Sequence, residues 1–253
     1  MKEFAKKVIP EKLHPFIGSH IIKRFKKRYK KSYAQSGEDM ILNTVLYNVT
    51  NGFYIDVGAS DPTVHSNTHY FYQKGWSGIN IDALPGSMKK FQRMRPRDIN
   101  LEIPISNKNE TLKYYMFSSP SYNTFCEEIA ALHKNILIGT EELETKRLSE
   151  VLDEHLSINM EIDFLSVDIE GMDYQALQSN DWNKYRPKVV VFEYKANNIK
   201  FIEESKFNMF LNEKGYTFYC CSPTNAFYIE KDFYNIRFNK ELYKCENLTL
   251  YAE

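Results

Sequence analysis

Two aspartates stand where chemistry can first be read: Asp56 in GFYIDVGASDP and Asp82 in SGINIDA. Each closes an apolar, β-type run whose interior would normally exclude a charge. Gly58 follows Asp56 and begins a turn, where a residue without a side chain lets the backbone approach a ligand closely. Asp82 lies one strand–helix–strand further on, the place from which a carboxylate can hold both hydroxyls of a ribose. The turn GASDP has one glycine and an additional acid, Asp61, and so suits a pyrophosphate poorly. A positively charged nucleoside without phosphates, S-adenosylmethionine, fits this pattern better. The competing reading is local: Asp56 caps a turn, and Asp82 caps the helix that follows near Pro85.

A second acidic group lies in SVDIEGMD. Asp168 and Glu170 are two residues apart, so a continuous strand would point both to one side. Paired carboxylates divide acid and base roles when their environments differ, or jointly hold a cation. Glu193, closing KVVVFEY, is a third candidate. Asp168 or Glu170 is expected to be the base, with the other orienting substrate or ion; Asp168, Glu170 and Glu193 are the expected ligands if a metal is used. Glu170 has a structural alternative, as a carboxylate opening a helix near Gly171. His65 and His69 have the i, i+4 spacing of one helical face and could act as a base or as ligands with the carboxylates. Ordinary surface histidines share that spacing.

These residues need elements to hold them. The expected strands are 52–58, 77–83, 99–106, 162–170 and 188–194, with helical patterns at 66–74, 85–94, 146–155, 173–179 and 199–213. Such alternation means βαβ units and a parallel sheet. YTFYCC and NAFYIEK, joined by SPT, read as a closing hairpin, and ETLKYYMF as a strand beside INLEIPIS. Tyr70, Phe71, Tyr72 and Trp76 read as core. One α/β domain over 33–253 is expected.

Hydrophobic residues make up 43% of the 253, with ten glycines and nine prolines, which excludes a disordered or fibrous chain. Four cysteines without CxxC spacing fit reduced thiols in a cytoplasmic protein. Net charge is zero, yet residues 1–32 hold eleven Lys/Arg against two Glu, and the remainder carries an equal acidic excess. This basic arm is read as a solvated helix packed on the acidic body. Its alternative is contact with anionic lipid at the inner face of a membrane, or with a phosphate-bearing polymer. No apolar run is long enough to span a bilayer.

GFYIDVGASDP, SNTHYFYQKGWSGINIDALPGSM, RPRDINLEIPIS, YNTF and IDFLSVDIEGMDYQAL, in this order, resemble the FkbM family of S-adenosylmethionine-dependent methyltransferases. AQSGEDMIL resembles the segment preceding that family's first strand, and the likeness runs from about Tyr33 to Glu193. It implies a class I methyltransferase fold: a Rossmann-like, doubly wound, mostly parallel sheet of seven strands, the last inserted antiparallel. Carried onto this chain, Asp56, Gly58 and Ala59 would border the methionine part of the cofactor, and Asp82 would bind its ribose. Ala83 and Leu84 would flank the adenine, Ile105 and Ser106 would contact it, and Asp168 would lie beside the methyl. Gln35, Gly37 and Glu38 look like a loop folding over the site. Ser66, Asn67 and Thr68, with Asn123 and Thr124, fall in the family-like blocks and are the expected hydrogen-bonding residues for substrate.

The resemblance points to O-methylation of a sugar hydroxyl in a surface glycan, such as capsule or lipopolysaccharide, or in a glycosylated metabolite. A lipid- or nucleotide-linked saccharide would suit the basic arm. A phosphoramidate, amine or lipid acceptor is the alternative within the class. A nicotinamide-dependent oxidoreductase is disfavoured by the missing GxGxxG, and a non-catalytic module by retention of Asp56, Gly58, Asp82 and Asp168. No nucleic-acid partner is expected.

Overall fold

The computed structural model describes residues 31–157, 159–194 and 199–238. The basic arm and Cys245 lie outside them, apart from Lys31 and Ser32 of the arm.

The chain enters through helix α1 (Glu38–Val45) and then builds strands and helices in alternation. β1 (Phe53–Val57), α2 (His69–Gln73), β2 (Ser77–Asp82), α3 (Met88–Met94) and β3 (Ile99–Glu102) form the first half. α5 (Leu148–His155), β6 (Phe164–Val167), α6 (Asp173–Ser179) and β7 (Val189–Glu193) continue it, then α7 (Ile199–Glu203) and α8 (Lys206–Glu213). β8 (Tyr216–Cys221), β9 (Asn225–Glu230) and α9 (Lys231–Arg237) close the described chain. Between β3 and α5 lies an insertion that carries β4 (Thr111–Phe117), α4 (Glu127–Leu132) and β5 (Leu137–Glu144).

Seven strands form one sheet in the order β3-β2-β1-β6-β7-β9-β8. β1, β2, β3, β6 and β7 are parallel, and β9 inserts antiparallel between β7 and β8. This is the class I methyltransferase arrangement. FYIDV, FLSV and VVV are buried along their whole length, as strands covered on both faces must be. Period-2 alternation divides them between two cores. Ile55, Val57, Leu165 and Val167 pack with Leu148, Val151 and Leu177 on one face. Tyr54, Phe164, Val189 and Val191 pack with Leu42, Phe71 and Trp76 on the other. Each such side chain, fully buried, contributes about 1.5–3 kcal/mol.

Three expectations need correction. ETLKYYMF does not join INLEIPIS: β4 pairs antiparallel with β5, forming a separate two-stranded sheet. The helix expected over 199–213 is two helices, broken where Ser205 caps α8 by accepting from the Asn208 amide. The segment around Gln35 is more than a loop. Gly37, at φ 89, is the N-cap of α1, and Glu38 begins that helix. Among the described residues no helix is long and apolar enough to cross a membrane.

Candidate active site

A cavity of about 620 Å³ opens at the carboxyl ends of β1, β2, β6 and β7. In parallel sheets this is the edge where ligands gather, because strand order reverses there and leaves a crevice. β1 ends at Asp56 and Val57, and Gly58 turns the chain at φ 87, its amide donating to the Ile81 carbonyl (2.8 Å). The turn passes so close to β6 that a Cβ on Gly58 would lie 1.7 Å from the Asp168 carbonyl oxygen. That close approach is why a glycine stands there.

Asp56 is buried at a register row shared with Asn80 on β2 and Ser166 on β6. It accepts a hydrogen bond from the Thr68 hydroxyl (2.9 Å). Burial raises its pKa, while Arg95 and the hydroxyls of Thr68 and Ser166 act in the opposite direction. Arg95 itself is fully buried. It donates to Thr68 Oγ1 (2.6 Å), Ser66 Oγ (2.8 Å), Asn80 Oδ1 (3.3 Å) and the Pro62 carbonyl. Asp98, bonded by Tyr54, Asn80 and the Gly78 amide, balances it from 3.9 Å. The floor of the cleft is thus a paired, hydrogen-bonded network rather than an isolated charge. Nothing in the spacing of RMRPRD marks Arg95 as its centre.

Asp82 accepts from the amides of Ser60 (2.9 Å) and Leu84 (2.8 Å), one on each carboxylate oxygen, which fixes the group facing the cavity. Burial raises its pKa, and those two amides oppose the shift. Burial pushes Asp61 up as well, but Lys90, the Thr63 and Val64 amides and the Thr63 hydroxyl outweigh it and hold it at about 2. Asp61 is therefore a charged, turn-forming acid on the cavity wall.

Asp168, Glu170 and Glu193 converge, each offering an oxygen within 4.8 Å of the others. They reach one another differently from the expected alternation. β6 ends at Val167, and the chain turns with Glu170 at φ 47 and Gly171 at φ 102. Nor does Glu170 begin a helix, since α6 starts at Asp173. The Thr124 hydroxyl donates to the Glu170 carbonyl (2.7 Å), and Asp173 accepts from the Ile169 and Gly171 amides (3.3 Å each). Three carboxylates at this spacing can hold a divalent cation or take up a proton.

Asp173 is buried, and burial, followed by the charge of Glu193, pushes its carboxyl up to about 7. Protonated Asp173 is thus the form that folding favours. Its stabilising contribution is complete below the unfolded value near 4 and is lost as pH rises through about 7. Unfolding free energies from urea titrations in EDTA should fall across this window, by an amount on the order of a few kcal/mol. Asp173→Asn, neutral at every pH, should flatten that fall.

The other expected residues divide. Gln35, Ala59, His65, Ser66, Asn67, Ala83, Leu84, Ile105 and Asn123 line the cavity. Gly37, Glu38, Thr68, Ser106 and Thr124 do not. Glu38 is buried and receives the Ser222 and Thr224 hydroxyls (2.5 and 3.3 Å), tying α1 to the β8–β9 turn. Thr68 is occupied by Asp56 and Arg95. The Ser106 amide donates to the Lys146 carbonyl (3.0 Å), so this residue braces the insertion. Thr124 supports Glu170, and Asn123 spends its side-chain oxygen on the Phe117 amide (2.8 Å). His65 and His69 do not share a helical face: α2 starts at His69, while His65 sits at φ 52 in the preceding turn. His69 packs edge-on against Tyr33 (4.5 Å) away from the cavity, and the convergent acids include no histidine among the described residues. Reading the sequence missed the far wall, where the insertion brings Tyr114, Ser121, Tyr122 and Phe125. YNTF gave only its two polar members.

A sequence model described as the methyltransferase FkbM domain matches residues 56–218, more than half of the chain. Among curated proteins no significant match was found. Solved structures resemble the fold at low identity. A precorrin-6y C5,15-methyltransferase from Geobacter metallireducens GS-15 is 12% identical, with TM-score 0.41 over 79% of this chain and 91% of that one. A TehB-like SAM-dependent methyltransferase from Corynebacterium glutamicum is 11% identical, with TM-score 0.39 over 86% and 100%. An O-methyltransferase from Bacillus cereus, in complex with SAH, is 8% identical, with TM-score 0.41 over 90% and 94%. The sheet order, the cleft at its carboxyl edge and the match from Asp56 onwards therefore converge, and the chain belongs to the FkbM methyltransferase family, whose methyl donor is S-adenosylmethionine.

Proposed function

We propose that the protein transfers the methyl group of S-adenosylmethionine to a sugar hydroxyl, in a surface glycan or a glycosylated metabolite. The observation that carries this reading is the convergence of Asp168, Glu170 and Glu193 on the cleft that Asp56 and Asp82 also line. A sulfonium donor is already activated, so catalysis requires alignment and removal of the acceptor's proton. Holding nucleophile and methyl in line can supply much of the acceleration. The acceptor oxygen bonds to the methyl carbon, the carbon–sulfur bond breaks with its electron pair passing to sulfur, and the hydroxyl proton passes to a carboxylate. Asp168 is the base in this reading, and Glu170 and Glu193 orient the hydroxyl.

Six carboxylates on the cavity wall, and no Lys or Arg there among the described residues, favour a cationic cofactor over a dinucleotide. Gly58 and Ala59 border its methionine part, Asp82 takes the ribose hydroxyls, and Leu84 and Ile105 enclose the base. Asp82→Ala should weaken S-adenosylhomocysteine binding at least about tenfold, since each lost charge-assisted hydrogen bond is worth about 1.5–3 kcal/mol. The Ser60 and Leu84 amides also lose their acceptor, so a thermal melt must accompany the titration. Unchanged affinity in a folded variant would remove the ribose assignment. The function itself is tested by mass spectrometry of saccharide acceptors after incubation with isotopically labelled S-adenosylmethionine. Label on nitrogen or on a lipid, with none on sugar oxygen, would overturn it.

A further inference from the structure

A second cavity, of about 500 Å³, shares Tyr122, Glu170 and Glu193 with the cofactor cleft. Those two carboxylates therefore stand on the boundary between the chambers. The left-handed backbone at Glu170 and Gly171 produces this position. Gly171 permits it, because a Cβ there would lie 2.7 Å from Ile129 Cδ1 of the insertion. The second chamber differs from the first in its walls. Tyr122 packs on His133 at 4.4 Å, and Tyr174 meets Phe207 edge-on at 5.2 Å. Lys206 is exposed at the start of α8, and among the described residues it is the sole Lys or Arg lining either chamber. Its ammonium group lies 4.4 Å over the Tyr174 ring.

This distribution constrains an acceptor. The end that meets the methyl group faces Glu170 and Glu193, where a second negative charge would be repelled. Aromatic side chains lining the chamber suit a pyranose or another flat ring with apolar faces. Among the described residues Lys206 offers a negative substituent a favourable place, since an ammonium group serves as a point-charge partner for carboxylate or phosphate. The geometry points to an acceptor subsite in this groove that takes a hydroxylated ring bearing an anionic group, with Lys206 receiving the anion while the hydroxyl meets Glu170 and Glu193. This rests on the hydroxyl-methylation reading above and adds the charge of the substrate and the place where that charge is held.

The test uses the full chain saturated with S-adenosylhomocysteine, titrated calorimetrically with glucuronate, glucose 6-phosphate, glucose and 3-hydroxybenzoate. At least one anionic sugar should bind about tenfold or more tightly than glucose, and the two anionic arms distinguish carboxylate from phosphate. Lys206→Gln removes the ammonium charge and keeps a polar side chain shorter by one atom. It should abolish the preference for the anion while leaving S-adenosylhomocysteine affinity unchanged and lowering the melting temperature by no more than the loss of one exposed cation–π contact accounts for. Lys206-dependent binding of 3-hydroxybenzoate with no sugar bound would uphold the anion-accepting groove and sink the saccharide reading instead. Equal binding of glucose and its anionic counterparts, a preference that survives Lys206→Gln, or no binding of any anionic probe would overturn the proposal.

Discussion

Asp168→Asn is expected to lower turnover by about 10² or more, because a positioned base is worth roughly 10² to 10⁴ in rate. The substitution preserves shape and one acceptor oxygen and removes the basicity. Asp168 stays anchored through its backbone amide, which donates to the Val57 carbonyl at 2.8 Å, so the turn should survive. S-adenosylhomocysteine affinity should accordingly remain within a few-fold of wild type. Glu170→Gln and Glu193→Gln separate the two ways three convergent carboxylates can work. If they only orient the acceptor hydroxyl, their losses should be the smaller ones. If the three ligate a cation, all three losses become comparable, and EDTA abolishes activity that Mg²⁺ or Mn²⁺ restores. Near-normal turnover in Asp168→Asn without metal dependence would place the base elsewhere, with His65 and Glu193 next on the cavity wall.

Gly58→Ala should be more damaging still, although it adds one methyl group. Gly58 sits at φ 87, where an L-residue costs about 1–2 kcal/mol. The added Cβ would also lie 1.7 Å from the Asp168 carbonyl oxygen and 3.0 Å from Ile169 Cγ2. Asp168 is tied to β1 through its amide, so its backbone carbonyl cannot yield as the tip of a lysine can, and β1 and the end of β6 would have to separate at the floor of the cleft. The combined cost should be several kcal/mol against a typical total stability of about 5–15 kcal/mol. The variant should be recovered poorly, and any folded fraction should bind S-adenosylhomocysteine at least about 10² more weakly, a loss of about 2.7 kcal/mol. Gly86→Ala is the control. It shares the left-handed backbone (φ 84) but meets only the Lys89 ammonium at 3.9 Å, so it isolates strain from overlap. A Gly58→Ala protein that melts and binds like wild type would remove the close-approach argument.

Asp56, Gly58 and Asp82 were legible in the sequence because their placement is local. Each lies at or just past the end of an apolar β run, and a strand end in a parallel sheet faces the crevice whatever the rest of the chain does. YTFYCC and NAFYIEK were legible as a hairpin for the same reason, joined by a short turn with no distant partner to find. ETLKYYMF was not. Its partner LIGTEELE lies about twenty residues on and is exposed along most of its length, so no apolar pattern marks the pairing.

The sequence alone determined the alternation of strands and helices in the parallel half of the sheet and the acids at its strand ends, because these follow from periodicity and from which residues can end a strand. The seven-stranded sheet with its antiparallel insertion was implied by the family resemblance. Tertiary structure decided the rest. It buried Arg95 beneath Asp56, where long-range hydrogen bonds stabilise its charge. It separated His65 from His69 through one left-handed residue, against a spacing that implied a shared face. It joined Asp168, Glu170 and Glu193 across two strands and a left-handed turn, braced by Thr124 from the insertion and by Asp173 beneath. Such placements depend on contacts between residues tens of positions apart, and spacing along the chain carries no record of them.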